Sequence, residues 1–568
     1  MERRKFLRSV GVGGLVLAGC RRVTIDQKYA GTLKYDAEEA LVRDKIRQLY
    51  DKHFPVGEKK NAAADINKYN VLLITSDQQH IMTLGINNKN VKTPNLDRLA
   101  AMGIVFDRAY CNNPTSTPTR ASIITGKYAS QHGAYALGTS LPESELTVGE
   151  VFVNSGYRTA LIGKAHFQQL KGTHEYPTLE GYPVLQDLDF WNTFHGPFYG
   201  FEHVELARNH TDEAHVGQHY ALWMEENGAK DWRKWFRKPT GLTDGELYTW
   251  DIPEKYHYNN WITERTNAML QSYKEKNENF FLWASYFDPH PSYLIPEPWA
   301  SMYKPEDMDV PEIVPGELDD MPPSFRKTQE EKPELKEYYE EKGNGVVGLH
   351  SHLGKTKEEK AKDMAVYFGM VSMLDHYIGK VLDKLDELKL TEKTLVVFTT
   401  DHGHFYGQHG LIAKGPYHYE DVIKIPFIVS LPGSVPQGKR SDAFQSTVDL
   451  APTMLSFAGI EIPSCMTGVD QKDVWLGKTE SVRDHIIVEN RAQPTTISLK
   501  TYVEKNYKIT VYANQPYGEI FDLKNDPDEL VNLWDKPGSA GLRNELLLKL
   551  IHAEMAKEPV LMPRVSVA

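Results

Sequence analysis

Four short apolar runs, each ending in residues that can do chemistry, organise this chain. Residues 70–75 (NVLLIT) lead into Asp77 and Gln78, residues 157–163 (YRTALIG) into Lys164 and His166, residues 280–286 (FFLWASY) into Asp288 and His290, and residues 394–399 (TLVVFT) into Asp401 and His402. Continuous apolarity over so few positions predicts strands covered on both faces. Helix-like segments separate them. In residues 364–388, Met364, Phe368, Val371, Leu374, Ile378, Val381, Leu385 and Leu388 recur every three or four positions, which predicts a helix with one buried stripe. The alternation predicts a wound α/β domain. Ligands of such sheets bind beyond the carboxyl ends of parallel strands, so Asp77, Lys164, His166, His290, Asp401 and His402 are expected to converge on one edge.

The two ends of the chain read differently. Residues 1–20 (MERRKFLRSVGVGGLVLAGC) place basic residues before an apolar run too short to span a bilayer, the order of a secretory signal. Arg3 and Arg4 resemble a twin-arginine export signal, and LAGC resembles a lipobox that would be cleaved and lipidated at Cys20. Export to the periplasm or cell surface is expected, with the membrane reached through a lipid anchor only. Residues 21–68 are charged and read as a spacer with one amphipathic helix around 37–50. The main domain is expected over residues 69–476, with a polar insert at about 303–359. Residues 477–568 read as a smaller unit, with strands at HIIVEN and YKITVYA and a helix at 542–557.

Length and composition narrow the partners. The 568 residues, 40% hydrophobic and 25% charged, suit a large folded core. A net charge of -12 argues against a nucleic-acid partner held by a general basic surface, so an anionic substrate needs a locally cationic pocket. Once the signal is removed, Cys111 and Cys465 remain, too few for a disulfide framework.

Asp77, Gln78, Asp401 and His402 offer two carboxylates, an amide oxygen and an imidazole. Such a set suits Ca²⁺ or Mg²⁺, and the imidazole leaves room for Mn²⁺ or Zn²⁺. Residues 113–128 (NPTSTPTRASIITGKY) then raise a question: Ser116 stands two positions before Pro118 and four before Arg120. Read alone, the stretch is a polar loop feeding a helix.

Ser116-Thr117-Pro118-Thr119-Arg120, followed by Thr125-Gly126, resembles the signature of the formylglycine-dependent sulfatases of the alkaline-phosphatase superfamily. LIGKAH at 161–166, YFDPHPSY at 286–293, TTDHGHFYGQHGLIAKG at 399–415, VDLAPTML at 448–455 and GEIFDLKNDPDELVNL at 518–533 follow in the family's order. The resemblance implies an alkaline-phosphatase-like fold: a mixed, mainly parallel sheet sandwiched by helices, with a smaller C-terminal antiparallel sheet plus helix. It implies that a maturation enzyme oxidises Ser116 to formylglycine (3-oxoalanine), whose hydrate attacks sulfur, a task for which plain serine is poorly suited. Asp77, Gln78, Asp401 and His402 would hold the metal together with modified Ser116. Arg120 would steady the hydrated aldehyde, Lys164 and Lys414 would clamp sulfate, His166 would act as base, and His290 as acid or sulfate contact.

Two residues depart from the commonest family pattern. Gln78 replaces an Asp and His402 an Asn, so calcium is expected, with magnesium or manganese as alternatives. Cys111 lacks the flanking Pro and Arg and reads as structural; His132, His404 and His409 read as loop-orienting. The aromatic stretch 182–261 could line a sugar cleft or pack a subdomain. The leading function is hydrolysis of sulfuric esters, on sulfated saccharides. Phosphomonoester, phosphodiester or phosphonate-ester hydrolysis is one alternative, and a non-catalytic glycan-binding surface lipoprotein is another.

Overall fold

The computed structural model describes residues 36–53, 68–208, 215–237, 249–339, 348–349, 351–353, 355–493, 495–562 and 564. The signal and lipobox with Cys20, much of the expected spacer and part of the polar insert lie outside the described residues.

The four expected strands stand side by side in an eight-stranded sheet. Its spatial order is Lys439–Ser441, Gly103–Phe106, Phe427–Ser430, Thr394–Thr400, Asn70–Ser76, Phe280–Ser285, Arg158–Gly163, His203–Leu206. Phe427–Ser430 runs antiparallel to both neighbours; the other five pairings are parallel. Every residue of Asn70–Ser76, Phe280–Ser285 and Thr394–Thr400 is buried, as their unbroken apolarity requires. Because the four strands are parallel neighbours, the chemistry-bearing residues after each emerge at one edge.

Helices pack in two groups. Pro94–Ala101, Tyr258–Lys276 and Lys357–Glu387 form one, and Ser116–Thr125, Val148–Asn154 and Leu450–Phe457 the other. Lys357–Glu387 begins at a capping box between Thr356 and Glu359 and buries Met364, Phe368, Val371, Leu374, Ile378, Val381 and Leu385, the stripe expected from periodicity. The Ala37–His53 helix lies within the segment expected to be a spacer, yet it is docked. Its Val42 and Ile46 join the main core, and Arg47 Nη2 donates to the buried Asp187 at 2.7 Å.

At the C-terminal end, Ile486–Arg491, Ser498–Val503, Tyr507–Tyr512 and Gly518–Asp522 form an antiparallel sheet. Alternation divides its two faces. Ile487, Tyr502, Ile509 and Ile520 lie on one rung and pack with Leu546, Leu550 and Ala553 of helix Ala540–Ala556. Ile486, Val488, Leu499, Val503, Tyr512 and Phe521 instead join the main core. This sheet grips the loop before Ser116: Glu489 N–H donates to the Asn112 carbonyl at 2.9 Å, and its carbonyl accepts from Asn113 Nδ2.

Gly163 ends its strand at φ +108°, where a Cβ would lie 1.9 Å from the Ser285 carbonyl oxygen. That carbonyl accepts the Lys164 N–H at 3.0 Å, so the close approach fixes where Lys164 leaves the sheet. Gly163→Ala is expected to destabilise the protein by about 2–4 kcal/mol through backbone strain and overpacking. Denaturant unfolding checks this; a loss below about 1 kcal/mol would mean that the strand ends can separate freely.

Candidate active site

Arg120 is the hub of the edge where the four strands end. Its side chain is fully buried in the second turn of the Ser116–Thr125 helix. Nε donates to Asp401 Oδ2 at 3.0 Å, Nη1 to the Lys164 carbonyl at 3.0 Å and Ser285 Oγ at 2.8 Å, and Nη2 reaches Asp77 Oδ2 at 3.4 Å. One guanidinium thus touches the ends of all four central strands, using the fixed fork that lysine lacks. The helix starts at Ser116 itself, and Gly126 in the left-handed region closes it.

The carboxylates are held ionised. Burial would raise the Asp77 carboxyl, but Lys164, Arg120, Lys414 and His402 hold it far below the ordinary value. Asp401 is likewise held to about 2, against burial and the charge of Asp77, by His402, Arg120 and Lys164. Lys164 Nζ donates directly to Asp77 Oδ2.

Asp77, Asp401 and His402 each offer a ligand atom within 4.8 Å of the others'. Asp77 Oδ1 and Gln78 Oε1 are buried without a hydrogen-bond partner among the described residues. Buried oxygens rarely stay unpaired, so these atoms fit a divalent cation. His404 explains how Gln78 serves here. Gln78 Nε2 can only donate, so at 2.9 Å it assigns His404 Nδ1 as acceptor; His404 Nε2–H then donates to Tyr293 OH at 3.0 Å. The Tyr367 ring stacks on His404 at 4.7 Å, and its hydroxyl donates to the Gln78 carbonyl at 2.6 Å. Gln78 is thereby held with its amide oxygen free for a ligand, at φ +58°.

His402 Nδ1 lies 3.1 Å from the Gly403 carbonyl, which places its proton on Nδ1 and leaves the Nε2 lone pair free. Burial pushes this imidazole down to about 4, so it is neutral near pH 7. Ser116 Oγ and Lys414 Nζ each stand 3.2 Å from Nε2. Lys414 Nζ is also 3.2 Å from His290 Nε2. Burial pushes the Lys414 ammonium down to about 8, against the pull of Asp77 and Asp401.

Nine of the ten expected site residues are therefore joined by direct contacts: Asp77, Gln78, Ser116, Arg120, Lys164, His290, Asp401, His402 and Lys414. His166 belongs to the same surroundings through charge: burial first, then Arg208, Lys164, Arg120 and Lys414, holds it neutral. Sequence reading missed Ser285, Glu180 and Arg208, and it named Asp288 after its strand without giving it a role. Ser285 is a small polar residue closing an apolar strand, a signal that could have been used. Asp288 accepts from Tyr258 OH and Asn259 Nδ2, and its carbonyl accepts the Asp77 N–H at 3.2 Å. Glu180 and Arg208 carry no motif.

The remaining candidates have structural surroundings. Trp191, Trp232, Trp250, Trp261, Phe198, Phe201 and Tyr220 are buried in the main core, so these aromatics serve packing instead of lining a sugar cleft. His132 Nε2 lies 2.9 Å from Ser122 Oγ, His409 stacks on Tyr419 at 3.6 Å, and Cys111 is buried with Sγ toward the Val422 carbonyl.

Comparison with known proteins extends this picture. Residues 69–460 match the sulfatase family model, and residues 407–556 match the C-terminal model of N-sulphoglucosamine sulphohydrolase. The chain is 30% identical to an arylsulfatase of Clostridium perfringens, covering 82% of this chain and 90% of that one. It is 25% identical to an N-acetylglucosamine-6-O-sulfatase of Bacteroides thetaiotaomicron, covering 84% and 85%. A solved phosphonate monoester hydrolase from Silicibacter pomeroyi superposes with a TM-score of 0.70 at 21% identity, covering 88% and 98%.

His404→Phe should keep the stack on Tyr367 but leave the Gln78 amide unanchored. Metal affinity is expected to fall about 10–100-fold, as for loss of other groups that orient ligands. Calorimetric metal titration checks it, and unchanged affinity would show that Gln78 needs no such support.

Proposed function

This chain belongs to the sulfatase family and is a sulfatase, and we propose that it acts on sulfated saccharides through a formylglycine made from Ser116. The observation that carries the reading is the place of Ser116: it opens a ten-residue helix, buried, with Oγ 3.2 Å from His402 Nε2 and two ionised carboxylates nearby. A helix N-terminus favours an anion there. Oxidised and hydrated, the residue would supply one hydroxyl to attack sulfur and a second to expel sulfate.

Asp77, Gln78, Asp401 and His402 would hold a divalent cation, calcium in our reading and magnesium or manganese as alternatives. It would supply positive charge beside the nucleophile and the sulfate oxygens. Lys164 and Lys414 add two ammonium groups for those oxygens, and Arg120 keeps the carboxylates in place. Neutral His166 is suited to accept a proton from the remaining hydroxyl. His290 donates Nδ1–H to the Pro291 carbonyl, so its Nε2 faces Lys414 Nζ. A proton passing from the Lys414 ammonium to His290 Nε2 would let His290 protonate the departing alkoxide oxygen, leaving Lys414 neutral until water reprotonates it.

A second reading, phosphonate- or phosphate-ester hydrolysis on the same site, is favoured by one observation. With Gln78 in place of a carboxylate, two acidic residues face Arg120, Lys164 and Lys414, leaving the pocket cationic enough for phosphoryl anions. For the N-terminus we propose export and lipid anchoring at Cys20, which labelled fatty acid incorporated by wild-type protein but not by Cys20→Ser would support.

Mass spectrometry of the peptide spanning Ser116, from protein made in its native host, should show loss of two hydrogens. Ser116→Ala should cost at least about 1000-fold in sulfate release while the protein stays folded. An unmodified serine in fully active enzyme would overturn the mechanism.

Substrate length follows from charge. A surface carrying a net -12 repels a long sulfated polymer, whereas one terminal sulfate can be fully engaged by the cationic pocket. Sulfated mono- or oligosaccharides should be desulfated faster than the parent polymer, and added salt should narrow the gap. Polymer turnover that matches the short substrates at low salt would contradict this.

A further inference from the structure

The loop that carries His166 is wrapped around a buried carboxylate. Glu180, 1% exposed, accepts the N–H of His166 at 2.6 Å on Oε2, and those of Phe167 at 2.7 Å and Gln168 at 3.1 Å on Oε1. Arg208, equally buried, donates Nη1 to Oε2 at 2.9 Å. The contact is reciprocal, because the Gln168 side-chain oxygen accepts from Leu179 N–H at 2.8 Å and Thr178 Oγ1 at 3.0 Å.

Turning three successive amides toward one carboxylate bends the backbone, and His166 sits in the left-handed region at φ +59°. A β-carbon there is disfavoured without such an anchor. The His166 ring has no equivalent hold, since its buried Nδ1 lacks a hydrogen-bond partner among the described residues. Its place in the site is therefore set through the backbone.

We propose that Glu180, fixed by Arg208, is a positioning residue that aims His166 at the reacting group. This rests on the reading of His166 as the base. Neither Glu180 nor Arg208 needs to touch the substrate. Glutamine at 180 would present an NH₂ donor where one carboxylate oxygen now accepts, to either the backbone amides or Arg208, so the clamp cannot survive intact.

Steady-state kinetics with 4-nitrophenyl sulfate on fully matured enzyme tests it. Glu180→Gln is expected to lower kcat about 10–100-fold, the range for groups that orient a functional residue, with KM changed less than about twofold. Glu180→Asp should recover part of the loss. In a His166→Asn background the same Glu180→Gln change should cost less than about twofold, because residues acting through one group are non-additive. Losses that multiply, or Glu180→Gln activity within about twofold of wild type while His166→Asn is crippled, would overturn the inference alone. Full activity in His166→Asn would overturn the base assignment and the inference with it. If Glu180→Gln does not fold, Gln168→Leu, which cuts the reciprocal side of the clamp, should show the same kcat loss and the same disappearance in His166→Asn.

Discussion

A guanidinium with no access to water sets the geometry of this protein's active edge. Arg120 bridges Asp77 and Asp401 and reaches the Lys164 carbonyl and Ser285 Oγ, so one side chain joins four strand ends to the helix that carries Ser116. Two buried carboxylates side by side would repel each other and resist burial. Arg120 and Lys164 let both stay ionised, and that charge is what a cation site needs. Removing one partner from such a cluster leaves an uncompensated buried charge, which usually costs more than the pair contributes.

Around this hub, the candidate ligand side chains have local support. Gln78 offers a neutral amide oxygen, and a chain from Gln78 through His404 to Tyr293, with Tyr367 stacked above, fixes that amide. His402 is oriented by the Gly403 carbonyl. The C-terminal sheet adds to this frame, since Glu489 also accepts from Ser130 N–H and Oγ at 2.8 Å, just beyond the Ser116–Thr125 helix. Strand ends, one helix N-terminus and the C-terminal sheet thus meet around this cluster.

The sequence made legible whatever depended on local pattern. Fully buried parallel strands must be apolar throughout, so the four runs and the residues after them could be read, and their shared edge followed from parallel pairing. The long helix was legible from its stripe. Contacts made across long separations were not: Glu180 and Arg208 lie in a segment without periodicity, and their partnership exists only once the loop folds. The aromatic stretch was ambiguous because tryptophan serves clefts and cores alike, and burial decided for packing. Ala37–His53 appeared as spacer because its apolar face is just wide enough for Val42 and Ile46 to dock.

The most direct test of this account is the metal stoichiometry of chelator-stripped protein titrated with calcium. The wild type should bind one ion, and Asp77→Asn and Asp401→Asn none under the same conditions, with all three proteins folded. No binding by the wild type to calcium, magnesium or manganese, or binding by the asparagine variants equal to wild type, would contradict it.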